Sequence, residues 1–241
     1  MPSRAPASAL VLLPGMDGSG DLFAAFVAAL GDAVTPLVVS YPGDQVLGYE
    51  GLVDFARTRL PAGQPWVLLG ESFSGPVAIA LAAERPPGLC GLILSCTFAR
   101  NPVPSLRHFA SLLRFTPVSS RLTILALPLL LGRHSVPWLY GALRSALDQV
   151  TAPVLRARMR AVLAVDYSER LRGIDIPVLY LQAAHDRLVG RVAARHIVWV
   201  LPSVKVIVLR GPHLLLQAAP LEAATAVRQF VNEAVAGAGP A

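Results

Sequence analysis

Ser72 stands in VLLGESFSGPVAIAL, residues 67 to 81, among small residues, directly after an apolar run and directly before a helix-like one. A serine hydroxyl is a weak nucleophile at neutral pH. To attack a carbonyl it needs a sharp turn that presents its oxygen, a base to take its proton and donors for the oxyanion that forms. GESFSG supplies such a turn in a strand-turn-helix context, where the residues two before and two after the serine must be small so that strand and helix can approach. Gly70 and Ser74 meet that need and Gly75 follows, so the motif is G-x-S-x-S, one step from the usual G-x-S-x-G. By itself it also fits an ordinary polar turn.

The base must be a histidine within reach. His213, in LRGPHLLLQAAP, falls just beyond the last apolar run, at the carboxyl edge where ligands bind in open α/β sheets. His108 and His134 lie in the middle of the chain, His185 follows the fifth run, and His196 is mid-helix, where a structural role is expected. Asp186, in AAHDRLV, reaches the same edge one unit earlier and is the carboxylate expected to orient the imidazole. Its rivals Asp166 and Asp175 precede that run and fall at the wrong end or in the central segment. For the oxyanion, LLPGMDGSG follows the first run, and its glycines allow close backbone approach. The expected donors are the N–H groups of Met16 and of Phe73, the residue after the nucleophile. A phosphate loop is the competing reading, but neither G-x-G-x-x-G nor a Gly-Lys-Ser/Thr ending is present.

Positioning these loops takes a regular frame. Short apolar runs at 9 to 14, 35 to 42, 66 to 70, 91 to 96, 176 to 183 and 205 to 211 alternate with helical patterns, the signature of βαβ units and a mainly parallel sheet of about six strands. The runs are continuous rather than alternating, which predicts strands buried on both faces. GDLFAAFVAALG, YEGLVDFARTRL, GPVAIALAAERP, RVAARHIVWVLP and PLEAATAVRQFVNEAV place apolar residues near i, i+3, i+4 and predict the covering helices.

The chain has 241 residues, 54% hydrophobic and 15% charged, with a formal net charge of +6. That charge is local. From Thr97 to Val165 there are nine arginines against one acid, Asp148, while the rest carries twelve basic and fourteen acidic residues, so nucleic acid is not the expected partner. This segment lacks a strand pattern and is punctuated by six prolines. It predicts about four helices, the first with Leu106, Phe109, Ala110 and Leu113 on one face, and later ones capped by Ser135 and Thr151. Arg100, Arg107, Arg114 and Arg121 recur every seven residues and suit an anionic carrier or lipid surface, or simply a solvated face. LTILALPLLLG, 122 to 132, is too short to cross a bilayer. Too few residues precede the PGMDG loop for a signal-peptide core, so a cytoplasmic location is expected. Cys90 and Cys96 read as small buried residues, not a disulfide or metal site.

Read together, the oxyanion loop, Ser72, Asp186 and His213 occur in an order that resembles the α/β-hydrolase fold family, over nearly the whole chain. The resemblance implies a three-layer fold with sheet order 2-1-3-4-5-6, a core formed by residues 1–96 and 166–241, and an all-helical cap at 97–165. The amino-terminal hairpin common in the family looks absent, which predicts a smaller sheet. Pro14 stands where many members have histidine, and Ser74 replaces glycine, for which little cost is expected.

A serine at the elbow disfavours the dehalogenases and epoxide hydrolases of this fold, which use aspartate. The single lysine, Lys205, lies inside a predicted strand, which disfavours chemistry needing an active-site lysine. The expected activity is hydrolysis of small hydrophobic carboxylic esters of short to medium acyl chain, with no metal or organic cofactor. The alternatives are an acyltransferase or thioesterase acting on carrier-bound or CoA acyl groups, and a non-catalytic receptor of the same fold.

Overall fold

The computed structural model describes residues 8–105 and 137–238. Six strands, β1 (Ser8–Leu13), β2 (Val34–Val38), β3 (Trp66–Glu71), β4 (Leu89–Ser95), β5 (Val178–Ala183) and β6 (Lys205–Leu209), form one sheet in the order β2-β1-β3-β4-β5-β6. Every neighbouring pair is parallel, with Leu12 opposite Leu69 and Leu94 opposite Tyr180. The sheet thus has the order and direction expected of it.

Parallel neighbours require crossovers, and helices supply them on both faces. Alternate strand residues point opposite ways, which divides the core in two. Val11, Leu13, Leu68, Leu92 and Tyr180 pack with α2 (Tyr49–Arg57), α3 (Gly75–Ala83) and α7 (Gly190–Val200). Leu10, Leu12, Leu69, Ile93 and Leu181 pack with α1 (Ala24–Leu30), the short α8 (Leu215–Ala218) and α9 (Pro220–Gly237). Cys90 and Cys96 are buried free thiols.

Burial on both faces holds for β1, β3, β4 and β5 but not at the edges. β2 buries only Val34 and then alternates exposed with half-buried positions, and β6 leaves Val206 and Val208 exposed. The two outermost strands have a neighbour on one side only, and the flanking helices centre on the inner strands. Apolar content alone could not distinguish edge from interior.

Between β4 and β5 the described chain contains α4 (Pro137–Asp148), α5 (Ala152–Ala164) and the short α6 (Ser168–Arg172). Leu139, Leu143, Leu147 and Leu155 form a third cluster with Leu22 and Leu214, so α4 and α5 rest on loops at the carboxyl edge of the sheet. The ends of this excursion are pinned together, with Asn101 N–H donating to the Val165 carbonyl at 2.9 Å and Tyr167 N–H to the Ala99 carbonyl at 2.8 Å. Thr151 does precede α5, but its side chain makes no capping hydrogen bond; its carbonyl accepts the first helical bond, from Leu155. Ser135, the helix expected around Leu106 to Leu113, and Arg107, Arg114 and Arg121 lie outside the described residues. Among those described, no helix is long and apolar enough to cross a membrane.

Candidate active site

β3 ends at Glu71, a tight turn carries Ser72 to Ser74, and α3 begins at Gly75 with Pro76 in its first turn. Ser72 has φ +49°, a left-handed conformation that costs a non-glycine residue roughly 1–2 kcal/mol. The surroundings hold it there. Thr97 Oγ1 donates to the Ser72 carbonyl, and the Tyr49 hydroxyl to the Phe73 carbonyl at 3.1 Å. A Cβ on Gly70 would lie 2.7 Å from Ala78 Cβ and 2.8 Å from the Ser74 carbonyl, so the elbow demands glycine there.

His213 lies on the loop after β6, and its Nε2 is 2.8 Å from Ser72 Oγ. Its Nδ1 is 2.8 Å from Asp186 Oδ2, on the loop after β5, and the imidazole is 1% exposed. Asp186 Oδ1 accepts the N–H groups of Leu188 and Val189 at 2.9 and 3.0 Å. Burial works to raise the Asp186 pKa, but the His213 hydrogen bond and charge and those two N–H groups outweigh it, holding the carboxyl below its ordinary value. An ionised carboxylate only accepts, so Nδ1 is the nitrogen that donates to Asp186, and in that tautomer the Nε2 lone pair faces the Ser72 hydroxyl.

The loop after β1 is held by its carbonyls. Pro14 accepts from Ser74 Oγ, Gly15 from Gly18 N–H at 3.1 Å, Gly18 from Tyr41 N–H at 2.7 Å, and Ser19 from Ser40 Oγ at 2.5 Å. The carbonyls of Met16 and Asp17 accept from one Arg158 Nη1, at 2.8 and 2.9 Å. A loop whose successive carbonyls are all engaged is fixed in its peptide planes, and its N–H directions with them.

No family model matches the sequence, and neither does any curated protein. Solved structures do match over almost the full chain. A thermophilic esterase from Thermogutta terrifontis is 19% identical, covering 96% of this chain and 92% of its own, with a TM-score of 0.82. An enol-lactonase from Burkholderia xenovorans is 20% identical, covering 97% and 93%, with a TM-score of 0.73. The esterase RhEst1 from a Rhodococcus species is 24% identical, covering 95% and 91%, with a TM-score of 0.70. This chain has the α/β-hydrolase fold.

In this α/β-hydrolase fold the five residues singled out from the sequence come to one place. Ser72, His213 and Asp186 are hydrogen-bonded in series, and Ser72, Phe73 and Met16 line one cavity of about 350 Å³. Its remaining wall is apolar: Phe98, Pro102, Val103, Met159, Val162, Leu163, Leu188 and Val189. A larger depression, about 670 Å³, lies against Arg100, Asn101, Pro104 and Asp166, and Ser72 is not among its lining residues. The smaller one is the one that Ser72 lines. The rival residues are elsewhere. His185 is exposed; His196 is buried in α7, 2.8 Å from Ser168 Oγ; Asp166 accepts from Ser168; Asp175 pairs with Arg85 at 2.7 Å on the surface. His108 and His134 lie outside the described residues.

Three features around this cavity were not evident in the sequence. Ser74 is fully buried, donating to Pro14 and 2.9 Å from the Tyr41 hydroxyl, so it contributes bonds that a glycine would lack. Glu71, beside Ser72, is buried with Gln217 Nε2 donating to it at 3.0 Å; burial, with Asp17 nearby, pushes its pKa up to about 8. Arg158 belongs by sequence to the basic segment yet is 1% exposed. A signal for it existed, because it shares the i, i+3, i+4 positions of Val154 and Leu155 on the buried face of α5.

Proposed function

We propose that this chain is a serine hydrolase cleaving carboxylic esters of short to medium acyl chain, with Ser72 as nucleophile, His213 as general base and acid, and Asp186 as orienting carboxylate. The observation that carries the reading is the unbroken series Ser72, His213, Asp186 at the wall of an apolar cavity. Residues 97–165 are read as a cap on a core formed by 1–96 and 166–241, because α4 and α5 rest on the carboxyl-edge loops and α5 lends Met159, Val162 and Leu163 to the cavity.

The reaction runs in two halves. Nε2 takes the Ser72 proton as Oγ attacks the ester carbonyl, and Asp186 stabilises the imidazolium. The N–H groups of Met16 and Phe73 receive the oxyanion, and the same imidazolium protonates the departing alkoxide. Water, deprotonated by His213, then cleaves the acyl-enzyme. The cavity is at the small end for ligand sites and nearly devoid of polar lining, which suits a short neutral acyl group and offers nothing to a charged one.

The test is a panel of p-nitrophenyl esters from acetate to palmitate, with acyl-CoA and carrier-bound acyl groups beside them. Highest kcat/KM is expected between about four and eight acyl carbons, an order-of-magnitude size match to a pocket of this class. A preference for thioesters, or acyl transfer outrunning hydrolysis, would contradict the proposal.

A further inference from the structure

A guanidinium that is 1% exposed needs partners for its donors, and Arg158 places three of its five N–H bonds on main-chain oxygens. Nη1 donates to Met16 and Asp17, and Nη2 to the Pro42 carbonyl at 3.1 Å. Its carbon sits 5.8 Å from the centre of the Tyr41 ring and 6.0 Å from that of Phe73, within reach of a cation–π attraction. Gly18, at φ +72°, leaves room for it, since a Cβ there would come within 2.6 Å of Nη1.

The position of those carbonyls is what matters. Gly15 and Gly18 close a turn by the bond from Gly18 N–H to the Gly15 carbonyl, and Met16 and Asp17 are its central residues. Holding both central carbonyls with one nitrogen fixes the plane of the turn. The Met16 N–H belongs to the preceding Gly15–Met16 peptide, which meets the held planes at the Met16 Cα and whose own carbonyl accepts from Gly18 N–H. We propose that Arg158 is a positioning residue that pre-aligns the Met16 N–H for the oxyanion, so that helix α5, which also walls the acyl cavity, is mechanically tied to the oxyanion hole. The inference rests on the hydrolase reading above.

The test uses the full chain with Arg158→Met and Arg158→Lys, the second keeping the charge but unable to span three carbonyls. Two readouts separate alignment from mere support: steady-state hydrolysis of p-nitrophenyl butyrate, and inhibition by an alkyl trifluoromethyl ketone. That ketone accepts Ser72 Oγ at its carbonyl carbon, the serine proton passes to His213 and the carbonyl pair becomes an oxyanion, so its affinity reports the hole. Expected is a fall of about 100-fold in kcat with a parallel fall in ketone affinity, KM staying within about threefold. A folded variant with wild-type kcat, or one whose loss lies in KM while ketone affinity is kept, would overturn the inference. So would failure of both variants to fold, which would make Arg158 a scaffold residue. A wild type that hydrolyses no ester sinks the underlying reading; full activity of a folded variant beside an active wild type sinks this inference alone.

Discussion

Side chains next to Ser72 carry more of the site than their types suggest. Ser74 takes the place of a glycine that needs only to be small, yet its hydroxyl joins the elbow to the Pro14 carbonyl and to Tyr41. Smallness was legible in the sequence; the partners were not, because they come from two other strands' loops. Glu71 is the more consequential neighbour. Its carboxyl titrates near 8 in the fold against an ordinary 4.5, so between those values the folded chain holds a proton that the unfolded chain has released. Stability from this group is therefore complete below the ordinary carboxylate range and lost as pH rises toward 8. Glu71→Gln stays neutral throughout. Its melting temperature should gain on wild type from pH 5 to pH 8, by the equivalent of roughly 2–4 kcal/mol at the upper end. Parallel melting curves of the two proteins across that range would show that Glu71 is not held protonated.

At the scale of elements, the helices and strands were readable because their periods differ, and the loops that carry Ser72, Asp186 and His213 were readable because each ends a strand. What periodicity could not tell was how closely two elements approach. Gly75 opens α3 directly against Thr97, where a Cβ would fall 1.9 Å from Oγ1, whereas Gly141, midway along α4, has nothing within 4 Å. The same substitution should act oppositely at the two. Gly75→Ala must push the start of α3 off Thr97, in the loop after β4, and is expected to cost about 3 kcal/mol or more, while Gly141→Ala, at an exposed helical position, should gain about 0.5–1 kcal/mol. Urea denaturation of both variants checks this, and equal effects would mean that α3 is not seated as tightly as described. Arg158 belongs to the same lesson. A charge on the buried stripe of a helix indicates an inward partner, but only the fold supplies the carbonyls of Met16, Asp17 and Pro42.

Over the whole molecule, alternation of strand and helix patterns was enough for a parallel sheet, and its order, implied by family resemblance, is the order found. The exposure of β2 and β6 was not legible, since an edge strand of a doubly covered sheet has much the same composition as a central one. Net charge was silent in another way, because it counts nine arginines in one segment without telling which way each faces, and Arg158 among them faces inward. The topology brings three loop residues, separated by 141 and 27 positions, into one hydrogen-bonded series beside an apolar cavity. Their joint chemistry is the central claim. It is tested most directly by p-nitrophenyl butyrate turnover in the wild type and in Ser72→Ala, with folding of both checked by circular dichroism. Turnover by the wild type and a loss of at least about 1,000-fold in a folded Ser72→Ala are predicted; equal turnover by the two proteins, or none by the wild type, would contradict the account.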